Sequence, residues 1–344
     1  MQSRNLKSRI ILLGLAVIML LSAMACSKTE DTPHKDEKIT IKDQLGREVT
    51  LDKEAERIVS GYYISTSMLI ALGLKDRVVG VEANANTRPI YAMAAAEFLD
   101  LPNVGTAKDF NLEGTLALEP DLVIVPVRLK DTISTLEDMG IKVIAIDPED
   151  MDLLKESLQI IGKATGTEDR AKKLISYYDE KTQKIKEIAK NNEESKKRIY
   201  FGGNSDFLST ATKRMYQNYM IETAGGENVA DIDDNYWAII SYEQLISYNP
   251  DMIVIAPGAK YSKEDILEDY KLSGIDAIKN KQVYAMPSNI ELWDSPIPSS
   301  ILGTMWLNSI LHEDEYSYEE FLDDLVEFYQ EFYEISIEKE KISK

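Results

Sequence analysis

The sequence predicts an α/β fold of two similar lobes joined by one long helix, and three observations carry that prediction. Short aliphatic strands alternate with helical stretches, the pattern of parallel sheets covered on both faces. One motif occurs twice, 130 residues apart. Between the two copies lies a stripe of Ala171, Leu174, Ile175, Tyr178, Ile185 and Ile188, spaced as on a single amphipathic helix.

The elements follow in order. Arg4, Lys7 and Arg9 precede an apolar run, Ile10 to Leu21, too short for a comfortable membrane span, so residues 1–25 read as a secretory signal. The run ends in Ala23-Met24-Ala25-Cys26, which resembles a bacterial lipobox with alanine where leucine is usual. Cys26 is therefore expected to be lipidated and to begin the mature chain. It is the only cysteine, which leaves no disulfide framework. Residues 26–38 are polar and aperiodic, a flexible tether. Ile39–Asp43 and Arg47–Leu51 alternate apolar and polar residues around Gln44-Leu45-Gly46, a hairpin signal. A strand at Arg57–Ser60, a helical stretch at Ser67–Leu74 and a strand at Arg77–Val81 come next. Asp121–Pro126 and Ile141–Ile146 read as strands flanking a helix that includes Leu136–Met139.

The repeated motif is Asn111-Leu-Glu113, six residues, then Pro120-Asp-Leu-Val-Ile124. Its second copy is Ser241-Tyr-Glu243, six residues, then Pro250-Asp-Met-Ile-Val254. Each copy sets a glutamate at a helix start, where its charge suits the dipole, and a Pro-Asp turn into a buried strand. This divides the chain into a first lobe at 39–167, an inter-lobe helix at 168–191 and a second lobe at 192–344 ending in an acidic helix. As one helix, 168–191 would span about 36 Å, a stiff hinge. Phe321, Leu325, Phe328, Phe332 and Ile335, at helical spacing near the end, are core positions.

Composition removes several functions. The formal charge of −20 repels nucleic-acid phosphates. Only His34 and His312 are present, so a bare zinc or manganese centre lacks the clustered imidazoles it needs. Any metal should arrive wrapped in a chelator; tyrosine ligation of bare ferric iron stays open. No Gly-x-Ser-x-Gly, P-loop or His-Glu-x-x-His motif occurs, so no enzyme is expected.

A family resemblance rests on several stretches: Asp43-Gln-Leu-Gly-Arg47-Glu-Val, Arg57-Ile-Val, Ala71-Leu-Gly-Leu-Lys-Asp-Arg77-Val-Val-Gly80 and both motif copies, then Ala224-Gly-Gly-Glu-Asn228, Trp237, Trp293-Asp294 and Leu302-Gly303-Thr-Met-Trp306. In order and spacing, from Ile39 to Ile335, they resemble the class III periplasmic binding proteins, which serve ABC importers of ferric siderophores, haem and cobalamin. The resemblance implies a ligand cleft between the lobes, a permease and its ATPase as partners, and no resident cofactor. It also implies a monomer, lipid-anchored on the extracytoplasmic face of the cell membrane. By the same resemblance, Glu113 and Glu243 match the two glutamates that dock onto permease arginines, one per lobe.

Ligands of parallel α/β sheets sit beyond the carboxyl ends of the strands. Reading those ends gives Tyr62, Tyr63, Arg88, Arg128 and Asn204, the neighbouring Phe110, Arg214, Tyr236 and Trp237, and Trp293. Arginine forks suit carboxylate, catecholate or phosphate oxygens, and aromatic faces suit a bulky planar guest. The expected cargo is a metal chelate, a ferric siderophore first; a corrinoid, haem or molybdate are the alternatives. A non-transport surface sensor or a chelatase-like enzyme are the readings outside that class.

Overall fold

The hairpin forms as read: β1 (Ile39–Lys42) pairs antiparallel with β2 (Glu48–Leu51), Ile39 opposite Leu51. This computed structural model describes residues 38–234 and 236–344; the signal segment, Cys26 and the tether up to residue 37 lie outside them. The buried Asp43 carboxylate closes the turn. It accepts the backbone N–H groups of Leu45 and Arg47 and, through Oδ2, that of Ala145 on the neighbouring sheet.

The first lobe is a parallel sheet of four strands: β3 (Ile58–Ser60), β4 (Val78–Gly80), β5 (Leu122–Pro126) and β6 (Val143–Ile146), in spatial order β4-β3-β5-β6. Every residue of β5 and β6 is buried, as parallel strands covered on both faces require. The second lobe repeats the order around β7 (Lys197–Gly202). There β9 (Gly226–Asn228) and β11 (Met252–Ile255) run parallel on either side of β7, and β12 (Val283–Ala285) lies beyond β11. The short β8 (Ser209–Thr210) and β10 (Ala238–Ile239) extend this sheet antiparallel. The chain is thus α/β, with two lobes built to one plan.

The duplication reaches the backbone. Helices Leu112–Ala117 and Tyr242–Tyr248 begin at Asn111 and Ser241, whose side chains accept the N–H groups of Gly114 and Gln244. The residues before the two prolines, Glu119 and Asn249, both hold a left-handed φ, +46° and +42°. In each lobe an arginine opening the first parallel strand donates to the carbonyl of that left-handed residue, Arg57 Nε to Glu119 O at 3.1 Å and Arg198 Nη1 to Asn249 O at 3.2 Å. The aspartate after each proline returns the contact by accepting the arginine's backbone N–H, at 3.0 Å from Arg57 and 2.9 Å from Arg198.

Helix Met151–Thr165 stops at Gly166, which takes a left-handed φ of +69°. The inter-lobe helix then runs from Glu168 to Asn191, 24 residues. A second element joins the lobes besides this helix. The C-terminal helix Tyr318–Tyr333 packs on the first lobe's helix Tyr63–Ala71 and on the inter-lobe helix, where Tyr177 meets Phe328 at 5.4 Å and Phe332 at 5.7 Å. Arg170 ties the three together, donating to Ala71 O at 2.7 Å and Phe332 O at 2.9 Å, where cationic groups complement helix C-termini. Phe321, Leu325, Phe328 and Phe332 are all buried in one core that continues from the first lobe into the second. Ile335 lies just past the helix and packs against that core.

Candidate ligand cleft

The strand ends of the two lobes meet over two cavities, and the consecutive residues Tyr62 and Tyr63 line one each. Their rings stand edge to face, centroids 5.3 Å apart. Gly61 permits this turn out of β3, because a Cβ there would sit 2.7 Å from the Phe110 ring. Phe110 is thereby assigned to packing against the sheet end, and it lines neither cavity.

The larger cavity, about 610 Å³, is walled by Tyr62, Arg128 and the Ile146–Asp147 strand end on one side. Arg214, Tyr216, Gln217, Tyr236 and Asp294 face it from the other. The Arg128 guanidinium lies 5.1 Å from the centre of the Tyr62 ring, a cation–π contact. Among the described residues it has no carboxylate within ion-pair distance. Arg214 differs: it is a surface fork closed on Asp233, with Nε–Oδ1 at 2.7 Å and Nη2–Oδ2 at 2.8 Å. Its charge is spent there, which reduces the cations free to face a guest. Tyr236 is 73% exposed at the cavity mouth.

Three acids that the sequence reading did not count among the ligand residues also line this cavity: Asp147, Glu149 and Asp294. Burial pushes Asp147 and Glu149 upward while Arg128 pulls them back, and it lifts the fully buried Asp294 to about 6. In so acidic a chain, nothing in the pattern separates these carboxylates from surface ones.

The smaller cavity, about 250 Å³, is lined from the first lobe by Tyr63, Ser67 and Arg88, and from the second by Ser288, Glu291 and Leu292. Arg88 stacks on Tyr63, 4.1 Å from the ring centre, so each tyrosine carries its own arginine. A third, open groove of about 650 Å³ follows the inter-lobe helix, but Lys155 there is paired with Asp179 at 2.5 Å. None of the expected site residues lines it.

The remaining expected residues lie elsewhere. Trp293 is 1% exposed, and its indole N–H donates to the Tyr329 hydroxyl at 2.9 Å; it is a core residue, which corrects the expectation that it faces the ligand. Trp237 lies over Gly203 and Phe201 beside the cleft, lining neither cavity. Asn204 is exposed, and its side chain accepts the Ser205 hydroxyl. Glu113 and Glu243 are exposed in the first turns of their helices, one on each lobe. Among the described residues no cluster of histidine, cysteine or carboxylates could hold a metal ion, and no helix is long and apolar enough to cross a membrane.

Two lobes of one plan, with strand ends facing each other over two cavities, have the form of a solute-binding cleft. The chain belongs to the periplasmic binding protein family, whose profile matches residues 58–290, in its class III form. It is similar to the uncharacterized ABC transporter substrate-binding lipoprotein YvrC of Bacillus subtilis, 29% identical across 82% of this chain and 91% of that one. It is also similar to the molybdate-binding protein MolA of Haemophilus influenzae, 25% identical across 96% and 99%. A periplasmic solute-binding protein from Veillonella parvula shares the fold at a TM-score of 0.79, with 24% identity over 88% of this chain and 94% of its own. The chain is therefore a substrate-binding protein of the class that serves ABC transporters, and the relatives named above are binding proteins too.

Proposed function

We propose that this protein captures an anionic metal complex, a ferric siderophore first, and delivers it to the permease and ATPase of an importer. One observation carries the reading: the Arg128 guanidinium, exposed at the wall of a cavity of about 610 Å³, is stacked on Tyr62 and closes on no carboxylate among the described residues within ion-pair distance, while Asp147 and Glu149 feel its charge from further off. A guanidinium fork in no close ion pair keeps its donors available to an anion. The volume falls in the range that encloses drug-sized guests, which favours a chelate over a bare oxyanion. Molybdate is the second reading, favoured by the likeness to MolA along nearly the whole chain.

The delivery half of the proposal uses Glu113 and Glu243 as docking charges. Two equivalent carboxylates on separate lobes report how the lobes sit relative to one another. One exposed ion pair is worth about 0–1 kcal/mol, so the pair sets orientation and encounter rate more than affinity. Lipidation at Cys26 would hold the protein, as a monomer, on the extracytoplasmic face of the membrane.

The test is a titration of the protein with ferric siderophores, haem, cobalamin and molybdate, following tryptophan fluorescence. Saturable quenching by a ferric chelate is expected. Quenching by molybdate or a corrinoid alone would overturn the cargo, and silence across the panel would overturn capture of this ligand class.

A further inference from the structure

Arg88 does not share a chamber with Arg128. The two guanidinium groups lie over consecutive tyrosine rings that stand edge to face, and they line separate cavities. Beneath Arg88 sits Glu82, 6% exposed, two residues beyond the end of β4. Its Oε2 accepts the Thr66 hydroxyl at 2.5 Å, and its Oε1 accepts the Tyr91 hydroxyl at 2.7 Å. That same Oε1 lies 3.4 Å from Arg88 Nε. The carboxylate is thus fixed by two hydroxyls from two helices and pairs with the inner edge of the guanidinium by charge, while the buried Nε–H of Arg88 makes no hydrogen bond among the described residues. The terminal amino groups of Arg88 make no hydrogen bond among the described residues and remain as donors.

We propose that the smaller cavity is a second acid-binding subsite, read by Arg88 and positioned by Glu82, so that the cargo is a chelate bearing two separate acidic arms. This rests on the anionic-cargo reading and deepens it. An anion that only needed charge would be served by one arginine. Two forks, each backed by its own tyrosine and parted by the Tyr62–Tyr63 wall, fit two acidic groups on one scaffold. The opposite wall is compatible with such an arm. Among the described residues, the acid lining this cavity is Glu291, 6% exposed, which accepts the Tyr329 hydroxyl at 3.1 Å. The groups around it are the hydroxyls of Ser67, Tyr178, Ser299, Tyr329 and Tyr333, and among the described residues Arg88 is the cation lining the chamber. Burial pushes Glu291 up to about 7, so its negative charge is reduced at neutrality and falls away as the pH drops below it, which lowers the repulsion of an acidic arm.

The experiment measures binding of two probes to the full chain, a ferric bis-catecholate chelate and molybdate, the second being a compact single anion. Arg88→Ala and Glu82→Gln are each expected to weaken the chelate about tenfold or more and to leave molybdate unchanged, whereas Arg128→Ala weakens both. Glu82→Gln should add nothing in the Arg88→Ala background, which separates positioning from a general structural effect. In nitrogen-15 spectra, the Arg88 Nε–H, identified by its loss in Arg88→Lys, should exchange faster with solvent in Glu82→Gln. If Glu82→Gln does not fold, Arg88→Lys, which keeps the charge and loses the fork, carries the same binding prediction. Arg128→Ala weakening the chelate while Arg88→Ala leaves it untouched overturns the subsite alone. Equal losses for both probes in Arg88→Ala overturn it too, since they mean one shared site. A wild-type chain that binds neither probe overturns the anionic-cargo reading and this subsite with it.

Discussion

Arg128 and Tyr62 form a pair in which each residue lends the other something it lacks. The ring covers one face of the guanidinium, which reduces its hydration while leaving the fork edge free. Removing the fork with Arg128→Ala is expected to weaken a ferric chelate by about ten- to a hundredfold, the worth of one or two charge-assisted hydrogen bonds. The melting temperature should fall only slightly, because the arginine is exposed and engages the Tyr62 ring and hydroxyl rather than a close ion pair. Calorimetric titration and a thermal melt of the same samples check both halves. At this scale the sequence was legible where position alone decides. Tyr62, Tyr63 and Arg128 follow parallel strands, and the strand ends put them at the cleft. Trp293 occupies a similar place in the chain yet turns inward, because the Tyr329 hydroxyl offers its N–H a buried partner from a helix 36 residues away. No local pattern reveals such a partner.

Secondary-structure elements show what the repeated motif is for. The Pro-Asp turn is more than an entry into a strand: the aspartate accepts backbone N–H groups of the adjacent strand, Glu56 and Arg57 in one lobe and Arg198 in the other. Asp121→Ala and Asp251→Ala should each destabilise the protein by about 0.5–1.5 kcal/mol, the net worth of a hydrogen bond, with Asp251 nearer the upper end because its bond is part-buried while the two held by Asp121 are open to water. Chemical denaturation midpoints would measure this, and no change in either variant would refute the turn's role. The motif itself could be read from the sequence because both copies keep one spacing. Its arginine partners could not: Arg57 precedes Pro120 by 63 residues and Arg198 precedes Pro250 by 52, so the third member of each set drifts with the intervening loop. The C-terminal helix was legible as a core helix from its aromatic stripe, but its grip on the first lobe depends on packing that no periodicity records.

At the level of the whole molecule, two buried acids give stability a definite pH dependence. The pKa of Glu291 rises from 4.5 to about 7 and that of Asp294 from 3.8 to about 6 on folding, both through burial. The folded chain therefore holds protons that the unfolded chain releases. Their contribution is fully present below about pH 4 and is lost as pH rises through 6 to 7, at about 3 kcal/mol for each. Denaturation midpoints should fall between pH 5 and pH 8, and Glu291→Gln with Asp294→Asn should flatten the fall; an unchanged slope would show that these acids ionise freely. Docking also belongs to this scale. Reversing both Glu113 and Glu243 to lysine should abolish transport by reconstituted importer while leaving chelate affinity as it was. Transport that survives would move the docking charges elsewhere.

The lobes share one continuous core through the inter-lobe helix and the C-terminal helix, and this limits how the molecule can announce that it is loaded. Two bodies on a loose strap change their outline when they close. Two bodies bolted through a common interior cannot swing far without opening that interior to water. Small-angle scattering curves of the empty and filled protein should therefore nearly superimpose. Whatever tells the two forms apart must sense a slight change in the spacing of a few surface charges, as a lock senses the cut of a key rather than its size.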